Sequence, residues 1–277
     1  YMERKIRMVG FDLDGTLLTT DKRLTEYTNE ILKKAIGKGI IVLPVTGRPL
    51  SGVPKEISEF EGIRYMITSN GARVVENGKT IHENLLSVEK AQKILDIFEE
   101  YDTLQDIYYD GQGYMPRRFI ERIGDYVPSP AMVQYMKSTR EPIEDIRAKF
   151  DEEHRSLDKI QALFCKKEEQ KEAWKRVEAL KDVEVTGALD KNIEVNAGGV
   201  HKGAALLWLA KRLGISREEV MAFGDGLNDV RMLKEAGVGV AMANSIPTVL
   251  NAADMVTSSN DEEGVAKVME KYVLNGF

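Results

Sequence analysis

Apolar runs alternate with amphipathic stretches at both ends of this chain and lose that rhythm in the middle, which limits the fold more than any other feature. Residues 5–11 read as a buried strand, and residues 25–38 as a helix with Ile31, Leu32, Ala35 and Ile36 on one face. Gly37 and Gly39 supply its stop. A strand at 40–45, a helix at 50–60 and a strand at 65–68 follow, the signature of βαβ units and a parallel sheet. Asn77-Gly78, between short strands at 73–76 and 79–83, predicts a two-residue hairpin.

The pattern then changes. An amphipathic helix at 87–101 leads into a long polar stretch of mixed signals at 110–155. A strand at 158–165, a helix at 168–181 and two short strands within 183–195 come next. Regular alternation resumes with a helix at 202–213, a strand at 220–224, a helix at 229–236 and a strand at 238–241. A helix near 246–251, a short strand at 254–257 and a closing helix complete it. A chain of 277 residues exceeds the usual single core. The expectation is a doubly wound, Rossmann-like α/β core built from 1–85 and 198–277, interrupted by an α+β domain at 86–197.

Composition sets bounds on function. A net charge of −6 argues against a nucleic-acid binder, which would ordinarily be basic. Any anion site must therefore build its own local positive field. No run approaches eighteen apolar residues, and no apolar segment near the start leads to a cleavage site, so no membrane partner and a cytoplasmic protein are expected. Cys165, the single cysteine, ends an apolar stretch and is expected to be a buried structural thiol. His82, His154 and His201 show no metal-ligand spacing.

Four clusters fall at predicted strand ends or at a helix start, where open parallel sheets hold ligands. Phe11-Asp12-Leu13-Asp14-Gly15-Thr16 follows the first strand, and two carboxylates held close there call for a cation between them. By itself the run also reads as a plain turn. Gly224-Asp225-Gly226-Leu227-Asn228-Asp229 adds acids after another strand, and could equally be a capped loop. Thr46-Gly47-Arg48 combines a hydroxyl, a glycine and a guanidinium, the parts of a phosphate cradle or of an ordinary cap beside a solvated arginine. Lys202 opens a helix after Gly198-Gly199, where a cation opposes the macrodipole unless it faces an anion.

In this order the four clusters resemble the motifs of the haloacid dehalogenase superfamily along essentially the whole chain. Asn70-Gly71-Ala72, residues 194–203 and the segment 270–275 resemble its Cof-type sugar-phosphatase branch in particular. The resemblance implies a Mg²⁺-dependent phosphomonoester hydrolase working through an aspartyl-phosphate on small phosphate esters, sugar phosphates foremost. It assigns Asp12 as nucleophile and Asp14 as proton shuttle. It assigns Asp12, Asp14 (through its backbone carbonyl) and Asp225 as metal ligands, with Asp229 acting through water. Thr46 and Lys202 are implied to bind the phosphoryl oxygens, with Gly47, Arg48, Asn70 and Asn228 as further contacts.

The short interval between Asp12 and Thr46 leaves little room for a large insertion, whereas the interval from Thr46 to Lys202 holds the inserted domain. The resemblance makes that insertion a C2B-type cap which closes over the site and sets specificity, with Tyr108, Tyr109, Tyr114, Arg117 and Arg118 as candidate contacts. A phosphomutase or phosphotransferase on the same scaffold, and a non-catalytic phosphometabolite-binding protein, are the competing readings. Oligomeric state is not legible.

Overall fold

The computed structural model describes residues 5–276. The chain folds as two compact units. The first takes in residues up to Gly47, Val53–His82 and residues from His201 onward; the second takes in Arg48–Gly52 and Glu83–Val200. Strands, in chain order, are β1 (Met8–Phe11), β2 (Ile41–Pro44), β3 (Tyr65–Thr68), β4 (Arg73–Glu76), β5 (Lys79–Glu83), β6 (Thr103–Tyr109) and β7 (Gln112–Pro116). They continue as β8 (Arg140–Ile143), β9 (Lys159–Phe164), β10 (Val183–Thr186), β11 (Asn192–Ala197), β12 (Val220–Gly224), β13 (Val238–Ala241) and β14 (Met255–Val256).

The first unit carries a parallel sheet in the order β14-β13-β12-β1-β2. β1 lies at its centre, with Met8 opposite both Val220 and Ile41. All four residues of β1 are buried, as a strand covered on both faces requires. On one face the helix Lys202–Arg212 packs so closely that a Cβ at Gly10 would lie 3.1 Å from Leu206 Cδ1, which explains a glycine in a central strand. Leu206 and Leu209 join Met8, Leu43, Val45, Ala222 and Met232 in one apolar core.

The helix Glu26–Gly37 buries Ile31, Leu32 and Ala35 and is capped by Thr25, which accepts from Thr28 N. Such a cap contributes about 1 kcal/mol. A bridge between Val45 and Ile67 ties β2 to the separate sheet β3-β4-β5. The turn between β4 and β5 has Asn77 and Gly78 at φ 48° and 78°, as a tight hairpin demands.

The second unit has a six-stranded sheet in the order β10-β11-β9-β6-β7-β8, antiparallel except between β7 and β8. Ile107, Tyr109, Ile160, Phe164, Ile193 and Val195 point to one face and pack under the helices Val88–Glu99 and Lys167–Glu178. Alternation puts Asp106, Tyr108, Lys159, Gln161 and Glu194 on the other. These are buried, so they must pair. Arg140 Nε donates to Asp106 at 2.7 Å, the Tyr108 hydroxyl to Asp106 at 2.6 Å, and Lys159 Nζ to Glu194 at 2.6 Å.

Two expectations need correction. Cys165 is exposed, because β9 ends at Phe164 and the chain turns there toward the next helix. The single helix expected at 50–60 is a 3₁₀ turn, Leu50–Gly52, and a short helix, Lys55–Ser58. Pro54 separates them, since its ring clashes with a preceding helical turn and it has no N–H to donate. The polar stretch at 110–155 resolves into β7, β8 and four helices, Arg117–Ile120, Ile123–Tyr126, Pro130–Thr139 and Ile146–Glu153. Among the described residues no helix is long and apolar enough to cross a membrane.

Candidate active site

Because β1, β2, β12 and β13 run parallel, the residues that follow them emerge at one edge of the sheet. Asp12 continues β1, donating its N–H to Phe223 O at 3.1 Å. The chain then turns sharply, with Leu17 N bonded back to Asp12 O. Gly15 makes that turn at φ 76°, and a Cβ there would sit 2.3 Å from Asp225 Oδ2, so no other residue fits. Thr16 Oγ1 donates to Asp225 Oδ1 at 2.7 Å and locks the first acidic turn to the second. The loop beyond is braced from the far end of the chain. Asn244 Nδ2 donates to Gly15 O, Asn260 Nδ2 to Leu18 O, and the Asp261 carboxylate accepts from both N and Oγ1 of Thr20.

Carboxylate oxygens of Asp12, Asp225 and Asp229 lie within 4.8 Å of one another. Lys202, fully buried, places its Nζ 2.9 Å from Asp12 Oδ1 and 2.6 Å from Asp229 Oδ1. This is the anion that justifies a lysine at a helix N-terminus. Burial works to strip the lysine of its proton, yet the charges of Asp12 and Asp229 outweigh it and hold its pKa above the ordinary range. Burial pushes Asp12 well up, Lys202 pulls it down, and Asp229, Asp225 and Asp14 push it up further. Asp225 rises to about 7, through burial first and Asp229 second. Three acids against one ammonium leave an excess of negative charge on hard oxygen donors, and this fits a Mg²⁺ ion. Asp229 is held from behind, its Oδ2 accepting from the N–H groups of Asp225 and Gly226.

A second group gathers beside it. Thr46, buried at the end of β2, donates its N–H to Ile67 O and accepts Asn70 N on its carbonyl. Asn70 stands at φ 60°, and its Oδ1 accepts from Asn228 Nδ2 at 3.2 Å. Asn228 Oδ1 is buried without a hydrogen-bond partner, a costly arrangement that a ligand donor would relieve. Asp14 behaves differently from its neighbours: its carboxylate pairs with Lys22 Nζ at 2.7 Å.

Arg48 is grouped with the second unit, where it donates to Gly52 O at 2.8 Å and lies 3.8 Å over the Tyr135 ring. Of the aromatic candidates in that unit, Tyr109 and Tyr114 belong to the apolar side of the sheet and Tyr108 to the polar side. Arg117 and Arg118 are exposed, Arg118 pairing with Asp145. The contacts of Thr16, Lys22, Asn244 and Asn260 had no signal in the residue pattern, although Asn244 shares with the recognised groups its place just past a strand end.

A parallel sheet with an aspartate cluster, a buried lysine and a threonine turn along its carboxyl edge is the arrangement a phosphatase of this fold calls for. The chain belongs to the haloacid dehalogenase-like hydrolases, whose sequence profile matches residues 9–269, and within them to the Cof-type branch. It is 30% identical to the 5-amino-6-(5-phospho-D-ribitylamino)uracil phosphatase YcsE of Bacillus subtilis, over 97% of this chain and 96% of that one. It is 31% identical to the phosphatase YwpJ of the same organism, over 96% and 99%. A solved haloacid dehalogenase-like hydrolase from B. subtilis superposes with a TM-score of 0.86 at 32% identity, covering 96% of this chain and 99% of that one. The subclass IIB sugar phosphatase BT4131 superposes at 0.82 with 25% identity, over 95% and 98%. The chain is a phosphatase of phosphorylated small molecules.

Proposed function

We propose that this phosphatase is Mg²⁺-dependent, forms an aspartyl-phosphate on Asp12 and takes phosphomonoesters of polyhydroxylated metabolites, sugar or sugar-alcohol phosphates. In the first step an Asp12 oxygen attacks phosphorus, the bond from phosphorus to the ester oxygen breaks, and Asp14 protonates the departing alcohol. In the second, water attacks the same phosphorus, Asp14 takes its proton, and the bond from phosphorus to Asp12 breaks to return the carboxylate and inorganic phosphate. Lys202 and Thr46 bind phosphoryl oxygens, with Gly47, Asn70 and Asn228 beside them, and Lys202 offsets the repulsion between Asp12 and an anionic ester. Asp12, Asp225 and the Asp14 carbonyl would hold Mg²⁺, which supplies positive charge to the same end, and Asp229 steadies its waters.

The observation that carries this reading is the Asp12 oxygen held at 2.9 Å by a fully buried lysine within a three-carboxylate cluster. Residues 86–197 are assigned the role of a C2B cap that sets the leaving-group preference; a compact second unit with its own core supports that role. The substrate class leans on relatives whose names specify one, among them a ribitylamino-uracil phosphatase and a sugar phosphatase.

Asp12→Asn is the decisive variant. It is expected to fold with unchanged circular dichroism and to release no inorganic phosphate from any ester. Residual turnover above about one hundredth of wild type would remove Asp12 as nucleophile. A screen across sugar phosphates, ribityl phosphates, nucleotides, flavin mononucleotide and pyridoxal phosphate tests the substrate class; preference for a nucleotide would overturn it.

A further inference from the structure

We propose that Lys22 is a positioning residue for Asp14, fixing where the proton shuttle's carboxylate points; this rests on the functional reading above. Two carboxylates two residues apart on one turn could both join the same acid cluster, yet only one of them does so here. The Asp12 carboxylate joins Asp225 and Asp229, whereas the Asp14 carboxylate lies 2.7 Å from Lys22 Nζ. A surface ion pair alone would mean little. This one is only about one-fifth exposed on either side, 20% for Lys22 and 23% for Asp14, and it is built by the backbone.

Lys22 stands at φ 63°, in the left-handed region. Turns that need this conformation ordinarily take glycine or asparagine. The turn is tight, with Lys22 N bonded to Thr19 O at 2.8 Å, Thr19 N to Arg23 O at 3.0 Å and Arg23 N to Thr19 Oγ1 at 3.1 Å. Asp261 pins the adjacent Thr20 through two bonds of 2.7 Å each. A lysine at such a φ, on a loop fixed at both N–H and hydroxyl of the residue two before it, serves through its side chain, and that side chain ends on Asp14. A tethered Asp14 carboxylate stays apart from the other three acids and keeps one direction for both proton transfers.

The test compares Lys22→Met, Asp14→Asn and the double variant in Mg²⁺, using an alkyl ester (glucose 6-phosphate) and p-nitrophenyl phosphate. Loss of an acid–base group costs on the order of 10²–10⁴ in rate. Lys22→Met should lose about tenfold or more in kcat on the alkyl ester, with KM and the Mg²⁺ requirement near wild type. With p-nitrophenyl phosphate the leaving group needs no proton, so the first step is spared. Rapid quench should then show a burst of p-nitrophenolate, with phosphate release lagging behind it.

In the Asp14→Asn background, Lys22→Met should cost nothing further, and Lys22→Arg alone should recover most of the rate. Equal losses on both esters without a burst, or losses that multiply in the double variant, would overturn the proposal. Should Lys22→Met melt early, Lys22→Gln takes its place with the same readings. If Asp14→Asn is slow and Lys22→Met is not, this inference fails alone; if Asp14→Asn retains full turnover, the functional reading fails with it.

Discussion

Asp225 shows at the scale of one residue how the site is balanced against the fold. Its half-buried carboxyl lies beside Asp229 and carries a pKa raised to about 7 by desolvation first, so ionising it costs the folded state. Stability from this group is complete below the ordinary carboxylate range and is lost as pH rises through 7. Asp225→Asn keeps an acceptor for Thr16 Oγ1 and removes the charge. At pH 8 without divalent cations the variant is expected to melt a few degrees above wild type. With millimolar Mg²⁺ the order should reverse, because only the wild type gains binding energy. Thermal scans with and without Mg²⁺ decide it; equal Mg²⁺ shifts in both proteins would remove Asp225 from the metal site. The four acidic and basic residues at the centre were legible because each follows an apolar run at a fixed point in the strand–helix alternation. Asn244 was not, because its bond to Gly15 joins residues at opposite ends of the chain, and nothing in its neighbours points there.

Helix entry sets the behaviour of one element. The helix Lys202–Arg212 begins at His201, whose Nδ1 accepts from Ala204 N at 3.2 Å and must therefore be unprotonated. Burial, with Arg231 second, lowers its pKa to about 4, although Glu235 lies 3.8 Å from Nε2 and works the other way. An unfolded histidine titrates near 6.5, so this contribution is present above that pH and is lost as pH falls toward 4. His201→Asn caps without titrating. Its urea stability is expected to depend less on pH than wild type between 4 and 6.5, and parallel curves would show that the histidine carries no such cost. Central elements were readable to within a residue or two, as with β3, β12 and β13, since buried strands carry continuous apolar runs. The stretch at 110–155 was not, because its four helices are short, from four to ten residues, and are held by packing against the sheet rather than by their own periodicity.

Each of the two compact units is packed on its own apolar core residues, and damage to one unit should stay local. Asp106 holds Arg140, Tyr108 and Gln161 on the polar face of the second unit. Asp106→Asn leaves a buried guanidinium uncompensated, at a cost of about 3–5 kcal/mol. Hydrogen exchange is expected to quicken across β6, β9 and β11 while β1 and β12 keep their protection; uniform loss across both sheets would contradict it. The α/β pattern lapses within the stretch Glu83–Val200 of the second unit, whereas nothing in the sequence marks Arg48–Gly52, since that segment follows β2 directly and bears no sign of where it packs.

The pairing of β1 with β12 has a consequence for synthesis. Met8 emerges from the ribosome long before Val220, its partner across the ladder. At roughly 5–20 residues per second, the first strand waits on the order of ten seconds for its central neighbour. The contiguous segment from Glu83 to Val200 is complete before that neighbour exists and can collapse first. Asp12 thus stays without Lys202, Asp225 and Asp229 until the chain has grown past all three, and a chain stopped short of them carries Asp12 but no assembled cluster.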